Sequence, residues 1–316
     1  MEQPTRVVTV LDRTDEADGV ISLTFAGAGG GPLPEWTPGA HLDLILGNGL
    51  IRQYSLSSDP ADLTRYRLGV LREPASRGGS IWIYDNVHAG STLAISQPRN
   101  NFVLHHASGY RFVAGGIGIT PILPMIRRAE AESIPWTLLY GGRTRQSMAF
   151  LRELEAYGDK VMVRPQDEFG LLDLATYFAD PSEGELIYAC GPEPMLLAAE
   201  RASAAWPVDA LHVERFVPKH IDVAPDEAFE VEFVESGITA EVPAGVSILD
   251  VAEQFSLNVF SSCREGTCGT CETRVLEGAV EHRDSLLTVA EQEAGDTMMI
   301  CVSRAAHGCP KLRLAL

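Results

Sequence analysis

Six cysteines stand at positions 190, 263, 268, 271, 301 and 309, and four of them have the spacing of a metal centre. Cys263, Cys268 and Cys271 form C-x4-C-x2-C, and Cys301 follows after 29 residues. That is the plant-type arrangement for a [2Fe–2S] cluster, in which four thiolates hold two irons. Gly266, Thr267, Gly269 and Thr270 keep the loop small, so its backbone can wrap closely and turn N–H groups toward sulfur. The alternatives are structural zinc and unligated thiols. Zinc usually draws on two separate C-x-x-C knuckles, and only one is present. Cys309 fits the fourth position less well than Cys301. A Rieske centre needs two histidines, and no C-x-H or C-x2-H pair occurs. An all-cysteine cluster of this type has a low potential, about −400 mV in plant-type ferredoxins, and passes electrons singly.

Four further motifs precede the C-terminal cysteines. Arg52-Gln53-Tyr54-Ser55-Leu56 offers a cation, a ring and a hydroxyl on one predicted strand, able to meet a phosphate, cover a flat ring and bond its edge; an exposed strand of mixed side chains reads the same way. Arg77-Gly78-Gly79-Ser80 is either a phosphate approach or a simple turn. Ala114-Gly115-Gly116-Ile117-Gly118-Ile119-Thr120-Pro121 lies between a predicted strand and helix. There glycines admit a pyrophosphate to the helix N-terminus, with Thr120 as N-cap and Pro121 at the first helical position. It is not the G-x-G-x-x-G fingerprint, because Pro121 stands where the third glycine would be. Cys190-Gly191-Pro192 closes a later strand, at the edge where open α/β sheets bind ligands; Cys190 could equally be a buried small hydrophobe.

Three kinds of element must position these groups. Short strands over 6–11, 20–25, 40–46, 52–56, 66–71 and 91–95 predict an antiparallel β-barrel. From about residue 110 the rhythm becomes strand then helix, with helices over 120–132, 147–157, 171–178 and 193–206 and a last strand over 211–216. That predicts a parallel α/β sheet. Residues 217–227 hold two prolines and no periodicity, which reads as a linker. A hairpin over 229–235 and 239–242 and a helix from 247 to about 255 then lead into the cysteine loop. The expected boundaries are 1–104, 105–216 and 228–316.

The chain has 316 residues and a formal charge of −18, of which −10 falls on residues 226–316, with 16 acidic and 6 basic side chains. Such a surface repels phosphate backbones and argues against nucleic acid. It serves either solubility or the docking of a basic partner. The longest uncharged apolar run, 112–126, is too short and too broken by Gly and Pro to span a bilayer. No apolar segment follows the N-terminal residues, so a cytoplasmic protein is expected.

Taken in order, these motifs resemble the phthalate dioxygenase reductase family, which includes vanillate O-demethylase reductases. The resemblance implies an FMN-binding barrel, an NAD-binding domain and a β-grasp-like [2Fe–2S] domain serving a Rieske non-haem iron oxygenase. It would put Arg52 and Ser80, with Gly78 and Gly79, at the FMN phosphate, and Tyr54, Ser55 and the backbone of Gly69, Val70 and Leu71 at the isoalloxazine. Gly115, Gly116, Gly118, Ile119, Thr120 and Pro121 would take the dinucleotide, with Cys190, Gly191 and Pro192 beside the nicotinamide. Phe216 matches the aromatic that covers the flavin. Arg143 and Arg145 leave the nucleotide open: they could hold a 2′-phosphate and favour NADPH, or be solvated loop charges; the resemblance favours NADH.

The implied chemistry is hydride transfer from NADH to FMN, then single electrons through the cluster to the oxygenase, whose docking face should be basic. Thr120, Cys190 and Phe216 would position rings rather than move protons. A cytochrome P450 is the alternative acceptor, and a redox-sensing module the alternative class.

Overall fold

A computed structural model of the chain describes residues 5–75, 77–219, 221, 223 and 225–316. The chain divides after Glu214 into two compact units. The expected linker 217–227 includes residues 220, 222 and 224, which lie outside the described residues.

The first unit opens with six antiparallel strands: β1 Thr5–Ala17, β2 Val20–Gly27, β3 His41–Ile45, β4 Ile51–Ser55, β5 Tyr66–Leu71 and β6 Thr92–Ser96, in the order β4-β3-β6-β1-β2-β5. Period-2 patterning orients them: Val8 and Val10 are buried while Val7 and Leu11 of the same strand are exposed. The outer strands meet at an antiparallel bridge between Leu56 and Leu68, so the sheet curls on itself. The sequence reading missed helix α1, Gly79–Asn86. Its Ile-Trp-Ile-Tyr run has no helical periodicity, and only Ile83 of its apolar residues is buried.

Five parallel strands follow: β7 Gly109–Gly115, β8 Trp136–Gly142, β9 Val161–Pro165, β10 Glu185–Cys190 and β11 Leu211–Glu214, in the order β11-β10-β7-β8-β9. Tyr110, Phe112, Tyr140 and Tyr188 fill the interior of this part. Helix α2, Ile119–Ala131, accommodates Pro124 and buries nine of its 13 residues. The helix expected over 147–157 is instead a 3-10 turn, a single helical turn α3 at Leu151–Leu154, and a second 3-10 stretch. Phe150 at φ 62° and Gly158 at φ 54° interrupt it. The helix expected over 171–178 is likewise reduced to α4, Gln166–Phe169, and α5, Leu174–Tyr177, with Gly170 at φ 75° between them. Helix α6 is Glu193–Ala202. The last strand stops at Glu214, not at residue 216, because its register partner Cys190 is the end of β10.

The second unit is a mixed sheet, with β12 Phe229–Phe233, β13 Ile238–Val242, β14 Glu272–Glu277, β16 Thr297–Met299 and β18 Lys311–Leu314 in the order β13-β12-β18-β14-β16. Strands β15 Val280–Glu281 and β17 Arg304–Ala305 pair separately. Helix α7, Ile248–Gln254, starts on a reciprocal capping box between Ser247 and Asp250. Ile248, Leu249, Val251 and Ala252 of α7 join the apolar core of this sheet. Helix α8 is Val289–Ala294. No helix among the described residues is long and apolar enough to cross a membrane.

Candidate functional site

In the first unit, strand β4 carries Arg52 to the start of α1. A Cβ on Gly79 would lie 2.5 Å from the Arg52 side chain, so glycine is needed for the guanidinium to cross the helix N-terminus. Gly78 adopts φ 81° and faces open space. Arg52 donates to the carbonyls of Ile51 and Arg77 at 2.8 Å each, which fixes its direction, and Ser80 is buried in the first turn of α1. A guanidinium beside the first N–H groups of a helix suits an anion. Burial pushes the Tyr54 hydroxyl far up, so Tyr54 is a neutral ring at any ordinary pH.

The order of the parallel sheet reverses between β7 and β10, and both glycine loops lie at that switch point, outside the carboxyl ends of these strands. A Cβ on Gly118 would fall 2.2 Å from the Cys190 carbonyl oxygen, one on Gly115 2.7 Å from Pro192, and one on Gly191 2.9 Å from the Gly115 Cα. These glycines therefore serve contact between the two loops. Of the loop glycines 115, 116 and 118, only Gly116, at φ 54° with nothing within 4 Å, keeps the open approach expected of them.

The N-cap expectation is corrected. A 3-10 turn over Gly116–Gly118 precedes α2, Gly118 is the N-cap, and Pro121 is the third helical residue. Thr120 sits inside the first turn, where its hydroxyl donates to the Ile117 carbonyl at 3.0 Å. Its methyl faces strand β5: a Cβ on Gly69 would lie 2.6 Å from Thr120 Cγ2 and 3.3 Å from the Phe150 ring. Gly69 and Thr120 thus meet within one unit.

One residue of the site was missed in the sequence. Glu214 ends β11 opposite Cys190, and its carboxyl lies between Ser55 and Cys190, hydrogen-bonded to both; the Cys190 thiol donates at 3.9 Å. Burial pushes Glu214 up to about 8 and pushes Cys190 well above the usual thiol range. At neutral pH the trio is mostly uncharged. An acid closing the last strand of an α/β sheet was the available signal.

Arg143 follows β8, and its carbonyl accepts the Asp167 N–H at 3.2 Å; Arg145 pairs with Glu168 at 3.5 Å. Phe216 is exposed two residues beyond β11, in the second unit.

In that second unit Cys263, Cys268, Cys271 and Cys301 are all buried. The Cys263 thiol is hydrogen-bonded to those of Cys268 and Cys301, and the Cys271 thiol to that of Cys301. No three His, Cys, Asp or Glu side chains among the described residues converge on one ion position; the thiols follow one another in the series Cys268, Cys263, Cys301, Cys271, and a two-iron cluster can take two thiolates per iron. Mutual hydrogen bonding pulls Cys263 and Cys271 down and pushes Cys268 and Cys301 up. The Glu265 N–H reaches Cys263 Sγ at 3.3 Å, and the Thr270 hydroxyl lies 3.1 Å from Cys268 Sγ. Gly266 and Gly269 take φ 71° and 74°, so the loop turns as its small residues suggested. Cys309 stands apart, accepting from the Ala279 N–H at 3.3 Å.

Comparison with known proteins agrees with this layout. A 2Fe–2S iron–sulfur cluster binding domain matches residues 232–306, and an oxidoreductase NAD-binding domain matches residues 112–201. The phthalate 4,5-dioxygenase oxygenase reductase subunit of Pseudomonas putida is 40% identical over 306 residues, covering 94% of this chain and 93% of that protein. The chain belongs to the phthalate dioxygenase reductase family. As a member it is an NAD(P)H-dependent flavin and [2Fe–2S] oxidoreductase. The solved phthalate dioxygenase reductase, described as modular for electron transfer from pyridine nucleotides to [2Fe–2S], is 33% identical with a TM-score of 0.73 over 99% of this chain and 98% of its own. An intact type IV self-sufficient cytochrome P450 monooxygenase is 43% identical with a TM-score of 0.91, covering 99% of this chain. This reductase chain spans only 41% of that protein.

Proposed function

We propose that this reductase takes hydride from NADH onto FMN and delivers single electrons, through a [2Fe–2S] cluster on Cys263, Cys268, Cys271 and Cys301, to a terminal oxygenase of the Rieske type. A flavin bound there accepts two electrons together and releases them one at a time, joining a two-electron donor to a one-electron carrier. Arg52, with the first N–H groups of α1 at Gly79 and Ser80, holds the FMN phosphate; Tyr54, Ser55 and the backbone of 69–71 hold the ring. Gly116 and its loop receive the dinucleotide. Thr120 and Cys190 keep the nicotinamide close to the flavin. Neutral Glu214 and Cys190 exclude water and fixed negative charge from the place where hydride moves.

The observation that carries this reading is the convergence of Gly69, Thr120, Cys190, Ser55 and Glu214 at one switch point. The Arg145–Glu168 pair puts a carboxylate beside the cation that NADPH would use, which supports NADH. The domain boundaries 1–104, 105–216 and 228–316 and a cytoplasmic location belong to the same proposal.

Rapid mixing tests it. Thr120→Ala should slow flavin reduction by NADH up to about 100-fold, the cost of an ångström of misplacement, and leave cluster oxidation by an added acceptor unchanged. Equal slowing of both phases would defeat the assignment.

The high similarity to the reductase part of a cytochrome P450 favours a second acceptor, a P450 haem. NADH-driven turnover with a purified Rieske oxygenase and not with a P450 supports the first reading; the reverse supports the second.

A further inference from the structure

Residues 282–285 follow β15 and run beneath the cysteine loop. Gly266, midway between Cys263 and Cys268, leaves room for Asp284: a Cβ on Gly266 would lie 3.0 Å from the Asp284 Cα and 3.2 Å from its Cβ. The next residue ties the two segments together, its Ser285 N–H donating to the Gly266 carbonyl at 2.9 Å. Asp284 is only 3% exposed. Its Oδ1 accepts from the N–H groups of Leu286 at 3.0 Å and Leu287 at 2.7 Å. Its Oδ2 is buried with no hydrogen-bond partner, and the nearest group that can carry a positive charge is His282 Nδ1 at 3.7 Å. Both ring nitrogens of His282 are likewise buried without a hydrogen bond. Arg283 is directed elsewhere, to Asp226 at 2.8 Å and to Glu281.

Closing the local turn needs one acceptor oxygen, which a neutral side chain also supplies. A second carboxylate oxygen buried without a donor is costly, so holding the turn does not explain why an acid stands here. Reduction of the cluster adds one negative charge to the neighbouring loop. A buried carboxylate opposes that charge, and the protein interior screens it weakly.

We propose that Asp284 sets the reduction potential of the [2Fe–2S] cluster, holding it low so that electrons pass readily onward. The inference rests on the reading of Cys263, Cys268, Cys271 and Cys301 as cluster ligands.

Potentiometric titration of the full chain, with its flavin and followed by the electron spin resonance of the reduced cluster, tests it. Asp284→Asn keeps size and an acceptor oxygen, and Asp284→Ser keeps a turn acceptor without charge. In both variants the cluster should become easier to reduce by about tenfold, a rise of about 59 mV for one electron, with the flavin potential unmoved. A loaded variant with the wild-type cluster potential would overturn the proposal. So would loss of the cluster from both variants at unchanged flavin content, since Asp284 would then hold the loop rather than tune it. Absence of an iron–sulfur spectrum from the wild-type protein is a separate result: it defeats the ligand reading, and this inference with it.

Discussion

Glu214 is a carboxyl whose chemistry departs from its type. Its carboxyl, ordinarily near 4.5, is pushed up to about 8 by burial, so the folded protein binds this proton more tightly than the unfolded chain does. The resulting stabilisation is complete below about pH 4.5 and is lost as pH rises through about 8. Glu214→Gln should remove that loss. Denaturant midpoints across this range should fall less steeply for the variant, and identical slopes would contradict the assignment. Glu168 offers a second test. With Arg145 released, Glu168→Gln should raise kcat/KM for NADPH relative to NADH by a few-fold, the scale of a half-exposed ion pair; an unchanged ratio would remove Arg145 from the nucleotide site. The four cysteines were legible in the sequence because three ligands share one loop and spacing alone defines it. Glu214 was not, because its partners Ser55 and Cys190 lie on distant strands, and no local pattern announces a contact that the β10–β11 register creates.

At the scale of elements, the two glycine loops form one joint. Gly118 has ordinary helical dihedrals, so only space forbids a side chain there. Gly118→Ala should force the α2 loop from the Cys190 carbonyl and cost about 1–3 kcal/mol of stability, as overpacking does, with a raised KM for NADH. Gly116→Ala meets no neighbour and bears only the smaller cost of its positive φ. A stability ranking in the opposite order, by chemical denaturation, would refute the joint. The sequence placed both loops at strand ends but gave Thr120 the wrong post, because a threonine before a proline resembles an N-cap when the 3-10 turn ahead of it is unseen. The fragmentation of α3 to α5 was hidden similarly: apolar spacing favours helix over 147–157, while Phe150 adopts a left-handed φ set by its packing against Gly69 and Arg67.

For the whole molecule, charge separates what happens within the chain from what happens between chains. The −10 on residues 226–316 should steer a basic acceptor, so electron delivery should slow as salt rises. Flavin reduction by NADH should respond much less. Stopped-flow rates from low to high ionic strength check this, and a flat rate with the true acceptor would discard electrostatic docking. Within the chain, electrons pass from a nicotinamide through a flavin to an iron–sulfur cluster. Anaerobic titration with NADH in the visible range tests this path most directly. Bleaching of both the flavin and the iron–sulfur bands is predicted; reconstituted protein without an iron–sulfur band, or a cluster left oxidised beside a fully reduced flavin, would contradict it.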